Sequence, residues 1–266
     1  MKQLLPLLAA LVLIGCHHVF EFHPYDGRFG GATNINATNI KKIEQACNDK
    51  DTLRVAFVSD SHGWFSDLRK AVTDINKRTD IDFVVHAGDL TDCGTTREFE
   101  RTRDIMNDLK VPYVAMIGNH DFLGTGNQIY EAMFGPVDFV LIAARVKFLF
   151  LNTNAVEYDY LAAVPNFDLM EEQITERDED FDRTVVCMHA RPYCEQFNNN
   201  VVKPFNYNIT QFPGLLFCMY GHGHHTEEHD FFGNGVIYYE VASASKREYR
   251  IFVITPKGYS NEVVRL

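Results

Sequence analysis

Five short runs hold residue types that can bind a cation or move a proton. They are Ser59-Asp60-Ser61-His62, Gly88-Asp89-Leu90, Gly118-Asn119-His120-Asp121, Met188-His189-Ala190-Arg191 and Gly221-His222-Gly223-His224. Together they offer carboxylates at Asp60 and Asp89, imidazoles at His62, His120, His189, His222 and His224, and an amide oxygen at Asn119. Hard oxygens mixed with borderline imidazole nitrogens suit two transition ions such as Mn, Fe or Zn. Each run alone says little, since Gly-Asp is a common turn and a lone histidine at a strand end is more often structural. Their shared setting carries the weight. Each follows a β-rich apolar run, and in open α/β sheets ligands bind beyond the carboxyl ends of the strands.

The elements that must position these runs can be read from hydropathy. Leu53–Ser59 reads as a strand leading to Asp60 and His62, Ile81–Ala87 as one leading to Asp89, and Pro112–Ile117 as one leading to Asn119 and His120. Further strands are expected at Val146–Leu151, at Thr184–Met188 ahead of His189, and at Leu215–Tyr220 ahead of His222 and His224. Val236–Val241 and Tyr249–Ile254 read as a hairpin joined through Ser243–Arg247. Continuous apolar runs ending in polar loops mark strands buried on both faces. Phe65–Arg78, with Leu68, Val72 and Ile75 in helical phase, and Thr95–Leu109 read as helices. Strands and helices therefore alternate, as in an α/β fold with crossovers, and no linker divides residues 51–266. His86 lies inside a strand and reads as a core histidine.

The first 50 residues are of another kind. Lys2 precedes the apolar run Leu4–Ile14 within Met1–Gly15, the layout of a short secretory signal peptide. A run this short cannot cross a hydrocarbon core about 30 Å thick. Leu13-Ile14-Gly15-Cys16 resembles a bacterial lipobox. That implies cleavage before Cys16, acylation of Cys16, and an exported lipoprotein anchored to a membrane and facing the periplasm or cell surface. The plainer alternative is an ordinary signal peptide that contains a cysteine. Residues 16–50, with His17, His18 and His23, read as a tether and a first packing segment. Cys47, Cys93, Cys187, Cys194 and Cys218 show no CxxC spacing and cannot all pair, so no disulfide framework is expected. Cys187 and Cys218 sit in apolar runs and read as buried thiols.

At 266 residues and 46% hydrophobic, the chain can bury a substantial core. Its 25 Lys+Arg against 36 Asp+Glu leave a formal charge of -11. That argues against non-specific nucleic-acid binding, which needs a basic face. The 11 histidines beside 1 Trp are the compositional oddity.

Taken in order from Asp60 to His224, the five runs resemble the signature of the calcineurin-like metallophosphoesterases: D-x-H, G-D, G-N-H-D/E, H and G-H-x-H. The resemblance implies a four-layer α/β sandwich of two mixed β-sheets flanked by helices, with 51–266 as the catalytic domain. It implies one metal ion held by Asp60, His62, Asp89 and His224. A second would be held by Asp89, Asn119, His189 and His222, with Asp89 bridging. It further implies hydrolysis of a small phosphorylated substrate, a phosphomonoester or phosphodiester, by a bridging hydroxide. Asn119 and His120 would face the phosphate, and His120 would give a proton to the leaving oxygen. Two divalent ions, two carboxylates and a hydroxide sum to about +1, so an acidic chain can still receive an anion.

Other residues keep two readings. Asp121 either orients the His120 imidazole or caps a turn. Arg191 either clamps the substrate anion or pairs with surface acids. The segment after His189 either rims the site with Phe197, Phe205 and Tyr207 or connects elements through one short helix. His225 and His229 follow a complete ligand set and read as neighbours of the site or surface residues. The Gly-Asp run continues Leu90-Thr91-Asp92, without the tyrosine that purple acid phosphatases use as an iron ligand, so a tyrosinate-ferric centre is not expected. Two alternatives to the hydrolase remain: a surface lipoprotein that binds metal or phosphate without turnover, and a nuclease-like phosphodiesterase with a local basic groove.

Overall fold

The computed structural model describes residues 25–158 and 163–266. Residues 1–15, Cys16, His17, His18 and His23 lie outside the described residues. The strands are β1 (Leu53–Val58), β2 (Phe83–His86), β3 (Tyr113–Ala115), β4 (Phe139–Ala143), β5 (Val146–Leu151), β6 (Arg183–Met188), β7 (Leu215–Tyr220), β8 (Glu228–His229), β9 (Ile237–Glu240), β10 (Glu248–Thr255) and β11 (Gly258–Arg265). They form a first sheet in the order β11-β10-β1-β2-β3 and a second in the order β4-β5-β6-β7-β9-β8. Both are mixed: β1-β2-β3 and β5-β6-β7-β9 are parallel, while the outer pairings are antiparallel.

The alternation of a strand explains why the apolar runs are continuous. Val55, Phe57, Val185, Cys187, Phe217 and Met219 point between the sheets into one shared core. Their neighbours Ala56 and Val58 face the helices outside the first sheet, and Val186, Met188, Cys218 and Tyr220 face those outside the second. Aromatic rings join the two sheets across the shared core, with Phe83 against Phe148 at 5.4 Å and Phe217 stacked on Phe252 at 4.2 Å.

Helices complete the outer layers. They are α1 (Ile35–Cys47), α2 (Phe65–Ile75), α3 (Thr96–Met106), α4 (Gly126–Met133), α5 (Phe167–Thr175) and α6 (Val202–Ile209). Helix α2 buries Leu68, Ala71, Val72 and Ile75 along one stripe. Helix α3 starts at a capping box of Thr95 and Glu98. On α1, Asn36 and Asn39 cover the edge of the first sheet. Asn36 donates to Ala115 O (2.8 Å) and accepts from Ala115 N (2.9 Å), and Asn39 donates to Tyr113 O (2.8 Å). Side-chain amides thus take the place of a further strand on β3. Among the described residues no helix is long and apolar enough to cross a membrane.

One sequence expectation is corrected, and for the segment after His189 the reading as a connection through one short helix holds. The segments read as a hairpin through Ser243–Arg247 lie in different sheets: β9 pairs with β7 and β8, and β10 with β1 and β11. The intervening residues cross from one sheet to the other, bridging Ser243 to Ser59 on the way. Phe197 and Phe205 do not rim the site. They are fully buried against the second sheet, because Val202, Phe205 and Ile209 form the inner stripe of α6, while Tyr207 is exposed.

Candidate metal centre

The five runs meet where β1, β2 and β3 of one sheet end beside β6 and β7 of the other. The backbone there is held in uncommon conformations. Asp60, His62, Asp89, His222 and His224 all have positive φ, between 40° and 68°. Such positions cost on the order of 1–3 kcal/mol each and persist where the surroundings enforce them. The turns also need close backbone approach. A β-carbon at Gly118 would collide with the Asp89 backbone nitrogen and carboxylate, and one at Gly221 with the Ser59 hydroxyl and Asp60.

One cluster brings together Asp60, His62, Asp89 and His224; another brings together Asp89, His189 and His222. In the first, the Nε2 atoms of His62 and His224 lie 3.1 Å apart, and His224 Nε2 lies 3.3 Å from Asp60 Oδ1. Donors each about 2.1 Å from one ion stand roughly 3–3.5 Å apart, so this spacing fits a shared ion. In the second, Asn119 Oδ1 lies 3.1 Å from His189 Nε2 and 3.0 Å from His222 Nδ1. Asp89 faces both. Its Oδ2 lies 3.5 Å from His62 Nε2 and 3.3 Å from His189 Nε2, while Oδ1 accepts the His120 backbone N–H at 2.9 Å.

The chemistry of the donors tests the fit. His189 Nδ1 donates to Ala87 O at 2.8 Å, so its Nε2 presents a lone pair. With the ring neutral, that lone pair meets the Asn119 and Asp89 oxygens, and three acceptors converging in a buried place call for a cation, either a proton on Nε2 or a metal ion. His222 repeats the pattern: Nε2 faces Glu195 Oε1 at 2.8 Å, leaving Nδ1 turned to Asn119. This donor set suits two divalent ions.

Electrostatics follow from the same arrangement. Burial opposes the Asp89 charge, but His189, His62 and His120 hold its carboxyl well below the usual range. Burial likewise opposes protonation of His189, yet Asp89 and Asp60 raise its basicity. His224 is raised by its bond to Asp60. His62 and His222 are lowered, chiefly by burial. The pocket attracts positive charge.

A model of the calcineurin-like phosphoesterases matches residues 53–226. The chain belongs to that family. A probable cyclic nucleotide phosphodiesterase of Fibrobacter succinogenes is 29% identical over 101 residues, 34% of this chain and 39% of that protein. The match thus spans well under half of that relative. Among solved structures, GAP50, the anchor in the inner membrane complex of Plasmodium, is similar with a TM-score of 0.58 and 13% identity, covering 81% of this chain and 85% of that one. Purple acid phosphatase PPD1 from yellow lupin seeds gives 0.59 and 12%, covering 82% and 54%. At such identities the likeness is one of fold.

Around this calcineurin-like centre the structure relocates some expected residues and adds others. His120 stands beside the first cluster with its ring 4.6 Å from His62 and its Nδ1 donating to Asp92 O at 2.8 Å. Asp121 does not orient that imidazole. Its carboxylate accepts from Leu90 N, Thr91 N, Thr91 Oγ1 and Gly118 N at 2.8–3.1 Å. Neighbours on a 3₁₀ turn project about 120° apart, so Asp121 points into the loops while His120 points out. Arg191 sits with its guanidinium 5.0 Å from the centre of the Phe231 ring and donates to Pro192 O. His225 is exposed, and His229 pairs with Glu227. His86 is fully buried in β2, its Nε2 2.9 Å from Ser61 Oγ.

Sequence reasoning missed Glu195, Asp92 and Trp64. Glu195 anchors His222, and Asp92 Oδ1 lies 3.5 Å from the otherwise unpartnered Nδ1 of His62. Asp92 stands three residues after Asp89, a spacing that could have flagged it. Nothing in the sequence singles out Glu195.

Proposed function

We propose that this chain is a metal-dependent phosphoesterase acting on a small phosphomonoester or phosphodiester. The observation that carries the reading is the Asp89 oxygen shared between the two clusters, the arrangement a paired-metal site requires. Asp60, His62, Asp89 and His224 would hold one ion, and Asp89, Asn119, His189 and His222 the other. When bound, such a pair supplies positive charge for the phosphate oxygens and acidifies a water to serve as nucleophile. The protein's own part is orientation and proton transfer. Ala87 O fixes the His189 tautomer, Glu195 fixes that of His222, and the Asp60 carboxylate is held by the His222 backbone N–H.

His120, half exposed and tethered through Nδ1, is placed to hold a proton at its other nitrogen. As a P–O bond forms from water and the ester P–O bond breaks, that proton passes to the leaving oxygen. Arg191, whose guanidinium lies over the Phe231 ring, is the candidate clamp for the substrate anion. The relative from Fibrobacter makes a nucleotide diester one substrate to try. Export and membrane attachment through an acylated Cys16 belong to the same proposal, checked by mass spectrometry of the mature N-terminus; an unmodified Cys16 would refute the anchor.

The deciding experiment measures metal content by elemental analysis together with hydrolysis of aryl phosphate monoesters and diesters. Two ions per chain and turnover are expected. His120→Ala keeps both ions and loses about 10²–10⁴-fold in turnover. An absence of metal and turnover after Mn or Zn addition would overturn the reading. Two bound ions without turnover would favour the non-catalytic binding protein.

A further inference from the structure

Trp64 is the one tryptophan of the chain, and neither cluster uses it. Its backbone is fixed on both sides. The N–H donates to Ser61 O at 2.8 Å, and the carbonyl accepts from Asp67 N at 3.0 Å and Leu68 N at 3.1 Å, closing the turn after His62 and opening α2. The indole is thereby held against the first cluster, its ring 5.3 Å from that of His62 and 5.8 Å from that of His224, both edge-on. Yet 38% of the residue remains exposed, leaving a large aromatic surface open beside two candidate metal ligands. His120, the proposed proton donor, packs against the same His62 ring at 4.6 Å.

We propose that Trp64 is the platform for the substrate's leaving group, and that the site favours phosphoesters whose alcohol carries a planar aromatic ring. The proposal rests on the phosphoesterase reading above. His120 gives its proton to the leaving oxygen, so the substituent on that oxygen starts beside the His62 ring. Trp64 presents an exposed aromatic surface against that same ring, and aromatic rings gain from offset or edge-to-face contact with it beyond simple area burial. A saturated group of equal size gains only the burial.

The test compares benzyl phosphate with cyclohexylmethyl phosphate, each as the monoester and as its methyl diester, because the two alcohols leave with similar ease. Wild type with its metals loaded should favour the benzyl ester by about fivefold in kcat/KM. Trp64→Phe should keep that preference, and Trp64→Ala should abolish it with metal content unchanged. A preference that survives in Trp64→Ala overturns the proposal. So does loss of metal from that variant, which would make Trp64 a shield for the first cluster. If wild type hydrolyses none of these esters, binding decides on Trp64; the phosphoesterase reading itself fails only if aryl phosphates also go unhydrolysed. The Trp64 emission, the only tryptophan signal in the chain, should report tighter binding of benzyl than of cyclohexylmethyl phosphate; equal affinities overturn the platform.

Discussion

At the scale of single residues, the groups behind the ligands decide how well the ligands work. Glu195 is the clearest case, since it is solvent-exposed yet lies 2.8 Å from His222 Nε2. A carboxylate in that position fixes which ring nitrogen carries hydrogen and turns the other toward the metal. Glu195→Gln should weaken the second metal site by about 10–100-fold, measured by calorimetric titration of the chelator-treated protein, and leave the first site intact. Equal affinities would show that His222 needs no such support. His86 gives a second prediction, about pH. Burial holds its imidazole neutral, with the pKa lowered to about 4. An unfolded histidine takes its proton near 6.5. Between those values the unfolded chain binds more protons, so stability rises with pH and is lost as pH falls from 6.5 toward 4. On going from pH 8 to pH 5 in chelator, wild type should lose about 2 kcal/mol more unfolding free energy than His86→Leu. Urea titrations read the difference; parallel losses would point to another group.

At the scale of elements, the loops that follow β2 and β3 are tied together by one carboxylate. Asp121 accepts hydrogen bonds from Leu90, Thr91 and Gly118 while fully buried. Asp121→Ala would strand those N–H groups, a loss of about 3–5 kcal/mol in urea unfolding, and should loosen metal binding because the Asp89 and Asn119 turns lose their tie. The His120 limb of the pH–rate profile should keep its position; a shifted limb with stability intact would return Asp121 to orienting the imidazole. The same loops mark where sequence was informative. Strands such as Val146–Leu151 and Leu215–Tyr220 coincide with their apolar runs because both faces are buried. The ordered polar runs at their ends were legible for the same reason, since each strand stops where its apolar residues stop. What local pattern did not carry was partnership between distant segments. Tyr238–Tyr239 and Tyr249–Ile251 look like two arms of a hairpin, but one pairs with Cys218–Met219 and the other belongs to β10, between β1 and β11. Strand β11 itself is polar because one face of this edge strand meets solvent, so it lacks the continuous apolar run. Glu195 was invisible because its meeting with His222 is made by tertiary packing alone.

At the scale of the whole molecule, the candidate centre is built half from each sheet. Asp60, His62, Asp89 and Asn119 follow strands of the first sheet, whereas His189, His222 and His224 follow strands of the second. Each proposed ion therefore joins both sheets: the first set takes His224 across the gap, and the second takes His189 and His222. The shared core already holds the sheets together, so the fold does not need the ions to form. The centre nevertheless carries its own unfavourable terms in the form of positive-φ turns and two buried carboxylates, which a bound cation offsets. Binding to the folded chain alone stabilises it by about 2.7 kcal/mol per site at a free concentration 100 times Kd. For a chain of this size two such sites correspond to a rise in Tm of roughly 10–20 °C. Chelation should therefore lower Tm by about that amount, and readdition of Mn or Zn should restore it in proportion to bound metal. Asp89→Ala, which removes the one carboxylate common to both sets, should abolish nearly all of the metal-dependent rise, while Asn119→Ala should abolish about half. Thermal unfolding alongside elemental analysis separates these cases. If complete removal of metal leaves Tm unchanged, the ions do not join the sheets, and the strained turns must be held by the protein alone.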